Sequence, residues 1–333
     1  MSPLPSGDTI EQAVRLSGRA PSLHNSQPWH WVFDGAALHL YSVRERLLPA
    51  TDASGRQLLI SCGLALGHLR AALAATGWQT RVAYFPDPTR HDHLATVTFE
   101  PARIVTDADL DRAAAIEIRH TDRLPFTAPE NWRDFEPVLP VLVDPHDAVV
   151  TVLPPEARTE LARASRLTAA IRRYDSGYQA ELQWWAGHSL AAEGIPPTAR
   201  VSAEERARVE VHRVLPAVDG EPRRPEIDED RAIVVVLSGR DDSIGLVRGG
   251  EALSTILLEC TVAGYATCPL THVTEVPRAR AMIRELTGLD QPPQVLIRIG
   301  GVPAPERRQP RTPRLPLARI LDVTAESASY RRQ

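Results

Sequence analysis

Apolar and polar residues alternate from Trp29 to Phe33 and again from Ala36 to Tyr41, with Asp34-Gly35 between the two runs. Period-two alternation on both sides of an Asp-Gly pair predicts a β-hairpin. From Arg56 the pattern becomes a nearly continuous apolar stretch with helical spacing, closed by Gly77 as a C-cap, which predicts a long buried helix. Alternating runs at 81–85 and 95–99 predict two further strands, and 108–118 a helix. The order then restarts. A strand at 148–153, helices at 155–173 and 178–187, a strand at 232–237, helices at 249–265 and 277–286, and a strand at 294–299 follow one another. A helix over 8–16, with Asp8 or Thr9 as N-cap, opens the chain. Hairpins beside helical crossovers predict an α+β fold with helices covering the sheet.

Two stretches break this pattern. Residues 188–228 are rich in Pro, Arg and Glu, include Gly194-Ile-Pro-Pro197 and Pro216, and have no period. A stretch of that length in a compact domain reads as a lid, a binding loop or disorder. From Gly301 to Pro316 the chain carries five prolines and four arginines (Arg307, Arg308, Arg311, Arg314), which predicts an extended arm laid over another surface.

Composition narrows the function classes. At 333 residues there is room for about two domains. A hydrophobic fraction of 43% and a charged fraction of 24% fit a soluble globular protein. The net charge of −4 offers no general affinity for nucleic acid or an acidic membrane surface. All 38 basic residues are Arg, so every cationic contact to an anion is a guanidinium and no lysine Schiff base is possible. Cys62, Cys260 and Cys268 form no C-x-x-C pair or disulfide framework, as expected in a reducing cytoplasm. His91 and His93 read as part of a surface turn, and no metal site is expected. Residues 1–7 lack the charged and apolar regions of a secretory signal. The apolar run Leu58 to Ala75 is interrupted by His68 and Arg70 and reads as core, not as a membrane span.

The densest chemistry lies in Arg19-Ala-Pro-Ser-Leu-His-Asn-Ser-Gln-Pro-Trp-His-Trp31. A polar loop held between proline and tryptophans offers amide and hydroxyl donors and acceptors beside rigid apolar walls, which suits the edge of a flat ligand. The plainer reading is that Pro21-Ser22 and Asn25-Ser26 are turn residues and Trp29 and Trp31 core anchors. A second cluster is Arg119-His-Thr-Asp-Arg-Leu-Pro-Phe126. In an extended segment, Arg119, Thr121 and Arg123 point to one side and make a phosphate clamp. Its plainer reading is an exposed Arg/Asp turn.

These runs resemble two signatures of the FMN-dependent nitroreductase family: the Ala-Pro-Ser-x-x-Asn-x-Gln-Pro-Trp loop and the Arg-Arg-Ser-x-Arg-x-Phe phosphate motif. His24, Trp29 and Trp31 make the chain most similar to the long, Acg-type branch. In family homodimers each FMN lies between the phosphate motif of one subunit and the Pro-Ser loop of the other. Here the loop occurs only in the first half and the clamp clearly only in the second, Arg15-Leu-Ser-Gly-Arg19 being a faint echo. The resemblance thus implies a nitroreductase-like α+β fold whose two halves, 1–106 and 107–333, are fused as an intramolecular pseudo-dimer. It also implies a monomer with one complete FMN site.

The resemblance extends further. Residues 249–265 resemble the family's central interface helix. Ala266-Thr-Cys-Pro-Leu-Thr271 matches the loop whose backbone N–H faces flavin N5, and Arg311-Thr-Pro-Arg-Leu-Pro-Leu317 the tail whose arginine returns to the phosphate. Leu315 replaces one of the branch's usual arginines, leaving Arg314 or Arg311 in that role. The implied FMN contacts are Pro21, Ser22, His24, Asn25, Gln27, Arg119, Thr121, Arg123, Pro269, Leu270, Thr271, Arg311 and Arg314. No protein residue is implied as catalytic, because flavin N5 carries the hydride, with NAD(P)H as donor and a nitroaromatic or quinone as acceptor. Arg123 is the candidate cation near flavin N1/O2. The alternative is a silent FMN-binding or FMN-sequestering protein, with 188–228 closed over the flavin and Tyr174, Tyr178, Trp184 and Trp185 sealing it. A structural protein with a degenerate pocket is the third reading.

Overall fold

A computed structural model describes residues 3–187, 192–303 and 311–324. Ten α-helices are described: α1 (Gly7–Ser17), α2 (Arg56–Ala74), α3 (Asp107–Ile118), α4 (Trp132–Phe135), α5 (Arg158–Arg173), α6 (Ser176–Gly187), α7 (Ala203–Ala207), α8 (Ser243–Val262), α9 (His272–Glu275) and α10 (Pro277–Thr287). The nine strands are β1 (Trp29–Phe33), β2 (Leu38–Ser42), β3 (Trp78–Tyr84), β4 (His93–Pro101), β5 (Val149–Val152), β6 (Ile233–Ser238), β7 (Ala266–Leu270), β8 (Pro293–Gly300) and β9 (Leu321–Val323). They form two sheets, ordered β3-β4-β2-β1-β9 and β5-β6-β8-β7. All pairs are antiparallel except β1 with β9, so the chain's last strand joins the sheet built by its first hundred residues. The fold is α+β.

The strand patterns explain the layers. In β1, Trp29, Trp31 and Phe33 are buried and His30 and Val32 half-buried, so one face meets the core and the other faces outward. Strand β8 is buried at every position. Its Val295, Ile297 and Ile299 join the core shared with α2, α8 and the first sheet, while Leu296 on the opposite face packs with Leu161 of α5 and Ile283 of α10. Buried on both faces, this strand is apolar from Val295 to Ile297 where β1 alternates, and its buried polar residues Gln294 and Arg298 are hydrogen-bonded.

Between the sheets α2 and α8 cross at backbone contact. A Cβ on Gly63 would lie 2.0 Å from the Val247 carbonyl oxygen, and one on Gly250 would lie 2.2 Å from that of Ile60. The relation is reciprocal, since each glycine faces the residue three positions before its counterpart. Helix α2 starts where Asp52 accepts from the backbone N–H of Gln57 (3.1 Å) and Leu58 (2.8 Å). Helix α8 starts where Asp242 accepts from Gly245 N–H at 2.7 Å.

Several expectations need correcting. Helix α1 is capped by Ser6, not Asp8 or Thr9, because the Ser6 hydroxyl accepts from Thr9 N–H. Helix α2 ends at Ala74, and Gly77, at φ +83°, instead opens β3. Helix α8 begins six residues before Gly249, at an Asp cap that apolar spacing does not register. His93 is buried at the start of β4, beside His39 and Thr96, not in a surface turn. The stretch 192–228 is not a structureless loop: Ile195, Val209, Val211, Leu215 and Ile227 are buried, and α7 carries a Ser202/Glu205 capping box. Of the proposed aromatic seal only Tyr178 is buried, while Tyr174 and Trp184 are exposed. Arg307 and Arg308 lie outside the described residues.

Replacing Gly63 by Ala should destabilise the protein by about 1–3 kcal/mol or more, since the methyl meets backbone that cannot rotate away. Gly264→Ala, at φ +83° with open space around it, should cost about 1 kcal/mol from backbone strain alone. Urea denaturation of both variants checks the order. A Gly63 variant no worse than the Gly264 variant would show that the helices separate freely.

Candidate functional site

One cleft collects most of the residues singled out in the sequence. Its outer lobe is lined by Arg19, Pro21, Ser22, Asn25, Glu117–Arg123 without Asp122, Gly194–Pro196 and the arm residues Arg311, Thr312 and Arg314. Its inner lobe is lined by Pro21–His24, the α2 residues Gln57, Ile60, Ser61 and Leu64, and Leu253 of α8. Pro269–Thr271, Arg213 and Leu215 complete the inner wall. Pro21, Ser22, Thr121, Arg123 and Ile195 line both lobes, so the two join. The lobes enclose about 620 and 680 Å³ of space between protein atoms, counted out to where they open to solvent.

The loop at the join is strained. His24, Asn25 and Gln27 all have positive φ, at 50°, 61° and 50°. Left-handed backbone is uncommon outside glycine, and three such residues in four positions persist only if their surroundings impose it. The surroundings do so. Gln27 N–H donates to Ser22 Oγ at 2.9 Å, and Gln27 Oε1 accepts from Leu315 N–H at 2.8 Å. Gln27 Nε2 donates to the Ala192 carbonyl at 2.7 Å, and Asn25 Nδ2 to that of Pro313 at 3.2 Å. From below, Leu23 N–H donates to Ser61 Oγ at 3.3 Å. Gln27 therefore lines neither lobe and fastens the loop to the arm and to residue 192.

The outer lobe is a cationic site with more guanidiniums than carboxylates: Arg19, Arg119, Arg123, Arg311 and Arg314 against Glu117. Arg119 and Arg314 both reach the Arg19 carbonyl, at 3.5 and 3.1 Å. Among the described residues, Arg19 Nε, Arg119 Nε and Nη1, Arg314 Nε and Asn25 Oδ1 are buried without a hydrogen-bond partner. Burial first, and then the neighbouring guanidinium of Arg19, pulls Arg119 down to about 10. Burial and then Arg119 and Arg19 pull Arg314 down to about 9. All remain charged at neutral pH. The nearest carboxylate on the rim, Glu117, pairs with Arg311 at 2.7 Å. Arg311 thus sits at the mouth and Arg314 inside.

The inner lobe is less charged. His24 is buried with both ring nitrogens unpartnered, and burial, then Arg213 and Arg123, keep it neutral. Arg123 donates to the Ala199 carbonyl at 3.0 Å, and burial lowers its pKa. Arg213 is held by Glu275, by the Tyr178 hydroxyl at 2.9 Å and by Thr271 Oγ1 at 3.2 Å. Residues 266–270 form edge strand β7, not a loop, and the Thr121 segment bridges alongside at Thr267.

Sequence reasoning missed Arg19 as a lining residue, together with Gln57, Ser61, Ile195, Arg213 and Leu215. Gln57 and Ser61 carried a signal, as polar residues one helical turn apart in an otherwise apolar run. Arg213 carried none.

Similarity to known proteins can now be set beside this geometry. Over 320 residues, 96% of this chain and 97% of the other, the protein is 45% identical to a Mycobacterium tuberculosis protein with the provisional name NAD(P)H nitroreductase acg. The chain belongs to the nitroreductase family. A further M. tuberculosis relative, also provisionally named an NAD(P)H nitroreductase, is 33% identical over 97% of this chain and 93% of its own. No family model matches. Among solved structures, the FMN and NADPH-dependent nitroreductase NfnB from sphigopyxis sp. strain HMH aligns with 64% of this chain and 99% of its own at 17% identity, TM-score 0.40. A protein from Anabaena variabilis, provisionally described as a nitroreductase, covers 89% of this chain and 88% of its own at 9% identity, TM-score 0.45.

Replacing Arg119 by Met should have opposite effects on stability and on anion binding. Removing one of three crowded, desolvated charges should leave the ligand-free protein equally stable or more stable by about 1–3 kcal/mol. The same change should weaken binding of a phosphate-bearing ligand at least tenfold. Urea denaturation without ligand, set against the ligand-induced rise in Tm, reads the two effects separately.

Proposed function

We propose that this chain binds FMN in the cleft and serves as an oxidoreductase, taking hydride from NAD(P)H and passing electrons to a nitroaromatic or quinone acceptor. The supporting observation is the set of buried, unpartnered guanidinium atoms of Arg19, Arg119 and Arg314. Three crowded cations whose one carboxylate neighbour, Glu117, is itself paired with Arg311 are compensated by a dianion, and a phosphate monoester supplies one. On this reading Arg119, Arg314 and Thr121 hold the phosphate end. The strained Pro21–Gln27 loop lies along the flat ring, with His24 offering it a neutral hydrogen-bonding edge and Asn25 Oδ1 an acceptor. Pro269 and Leu270 of β7, with Thr271 just after it, line the opposite wall. Arg123, between the lobes and without a carboxylate partner among the described residues, supplies positive charge to the ring system. Bound FMN supplies hydride acceptance and release at N5. The protein's residues bind, orient and exclude water, and none is needed as acid or base.

We further propose that the halves 1–106 and 107–333 are a fused pair with one working site in a monomer. The reciprocal α2–α8 crossing and the return of β9 to the first sheet support this. So does the cleft's counterpart. By the Gly63–Gly250 correspondence, Ser61 and Leu64 of the cleft match Arg248 and Glu251. Glu251 is engaged by Arg70 at 2.8 Å and by the Tyr84 hydroxyl at 2.6 Å. The Arg248 guanidinium lies 4.7 Å from the centre of the Tyr84 ring. These side chains fill positions that stay small or apolar in the cleft. Purified protein should therefore carry about one FMN per chain, measured against protein after denaturation. Two per chain would contradict the fused-pair reading.

A specific observation favours the silent alternative. Ile195 and Leu215 wall the inner lobe, and three latches hold their segment down: Gln27 to Ala192, Arg46 to Glu193 at 2.9 Å, and Arg123 to Ala199. If this segment excludes nicotinamide, anaerobic mixing with NADPH should bleach wild-type flavin slowly. Glu193→Ala, which frees one latch while leaving Arg46 on the Ser26 carbonyl (3.0 Å), should then speed bleaching severalfold at unchanged FMN content. Fast bleaching that the variant leaves unaltered would favour an ordinary nitroreductase.

A further inference from the structure

A second groove adjoins the cleft on the far side of Arg213. It lies between the C-terminal end of α5, the first turn of α6 and residues 212–214, and holds about 910 Å³ of empty space. Its ionisable wall is Arg172, Arg173, His212, Arg213 and His272, with no carboxylate. Asp175 and Glu275 engage Arg172 and Arg213 without lining the groove. Arg173 is the cation left over: its guanidinium lies 5.6 Å from the centre of the Tyr174 ring, and among the described residues it has no ion-pair partner.

An independent observation points to a ligand here. Ser165 Oγ lies 3.1 Å from the His212 carbonyl and 2.9 Å from His272 Nε2, which occupies that ring nitrogen. The other ring nitrogen, Nδ1, is left over in either tautomer. That nitrogen is buried and has no partner among the described residues, on a residue only 2% exposed. Burial, and then Arg213 and His212, hold the ring neutral. The groove thus offers guanidiniums for a phosphate and a buried, unpartnered ring nitrogen for a hydroxyl, which can donate or accept. Its wall residue Arg213 also lines the inner lobe.

We propose that this groove receives the phosphate-bearing ribose of a reduced pyridine dinucleotide whose nicotinamide enters the inner lobe. The inference rests on the hydride-transfer reading and sharpens it. A terminal phosphate monoester carries more charge for clustered guanidiniums than a bridging diester, so the phosphorylated dinucleotide is preferred over the unphosphorylated one. A ribose hydroxyl pairs with His272 Nδ1.

Calorimetric titration of the purified protein with 2′,5′-ADP, 5′-AMP and inorganic phosphate tests it, with Arg173→Glu as the variant because this side chain is exposed and has no role in the cleft. The expected result is that 2′,5′-ADP binds at least tenfold more tightly than inorganic phosphate or 5′-AMP. NADPH should displace it, and Arg173→Glu should weaken it tenfold or more with flavin content unchanged. Equal binding of inorganic phosphate, or an affinity that Arg173→Glu leaves intact, would overturn the assignment. Protein that takes up no FMN yet still binds 2′,5′-ADP through Arg173 would remove the flavin reading and leave the groove's ligand standing.

Discussion

The contact of α2 with α8 at Gly63 and Gly250 constrains the rest of the molecule. Two helices with larger residues there would stand farther apart, and the backbone carbonyls of Ile60 and Val247 would lose their close partners. The polar loop rests on α2 through Ser61 and through Cys62, whose thiol donates to the Pro28 carbonyl at 3.2 Å. Leu253 of α8 lines the same lobe as Ile60 and Leu64. The helix spacing therefore sets the cleft's width, and α2 sets the depth of the loop within it.

Within that frame the cleft accumulates unfavourable terms. Backbone held in the left-handed region costs on the order of 1–3 kcal/mol per residue, and three residues of the loop are held there. Desolvated guanidiniums face one another above it. Packing elsewhere holds this arrangement in place, and the clamps come from distant parts of the chain: the arm through Pro313 and Leu315, the insertion through Ala192, and α2 through Ser61. Strain and unpaired like charge concentrated together, while buried charges elsewhere such as Arg224–Asp122 and Arg298–Asp230 are paired, mark a place shaped for a ligand.

The legible parts of this design were those written locally. The hairpin around Asp34-Gly35, the buried helix from Arg56 and the strand before Ile299 each carry their own period, and all three form. Loop, clamp and arm could be read as motifs, and they converge on one cleft. What could not be read was set by contacts distant in sequence. Strand β7 contains Pro269 and sits at a sheet edge, where a missing N–H is tolerated, whereas the family resemblance implied a loop at 266–271. The insertion has no period because it packs irregularly. Arg224, buried against Asp122 at 2.6 Å and donating to the Pro125 carbonyl, ties it to the clamp segment by a pairing about one hundred residues apart.

That tie bears on how the insertion can move. The Arg224–Asp122 pair is buried on both sides, and losing one partner of such a pair costs about 3–5 kcal/mol. Arg298 and Asp230 form a second buried pair at 2.6 Å, and Asp230 also accepts from Phe126 N–H. The C-terminal part of the insertion is thus part of the clamp's foundation and cannot lift without unseating residues 119–126. The part nearest the cleft is different: Arg46–Glu193 is partly exposed, and Gln27–Ala192 and Arg123–Ala199 are single hydrogen bonds to backbone carbonyls. Bonds of that kind are each worth about 0.5–3 kcal/mol. Any opening over the inner lobe is therefore confined to the segment around residues 192–200, hinged on a remainder that holds residues 119–126 in place.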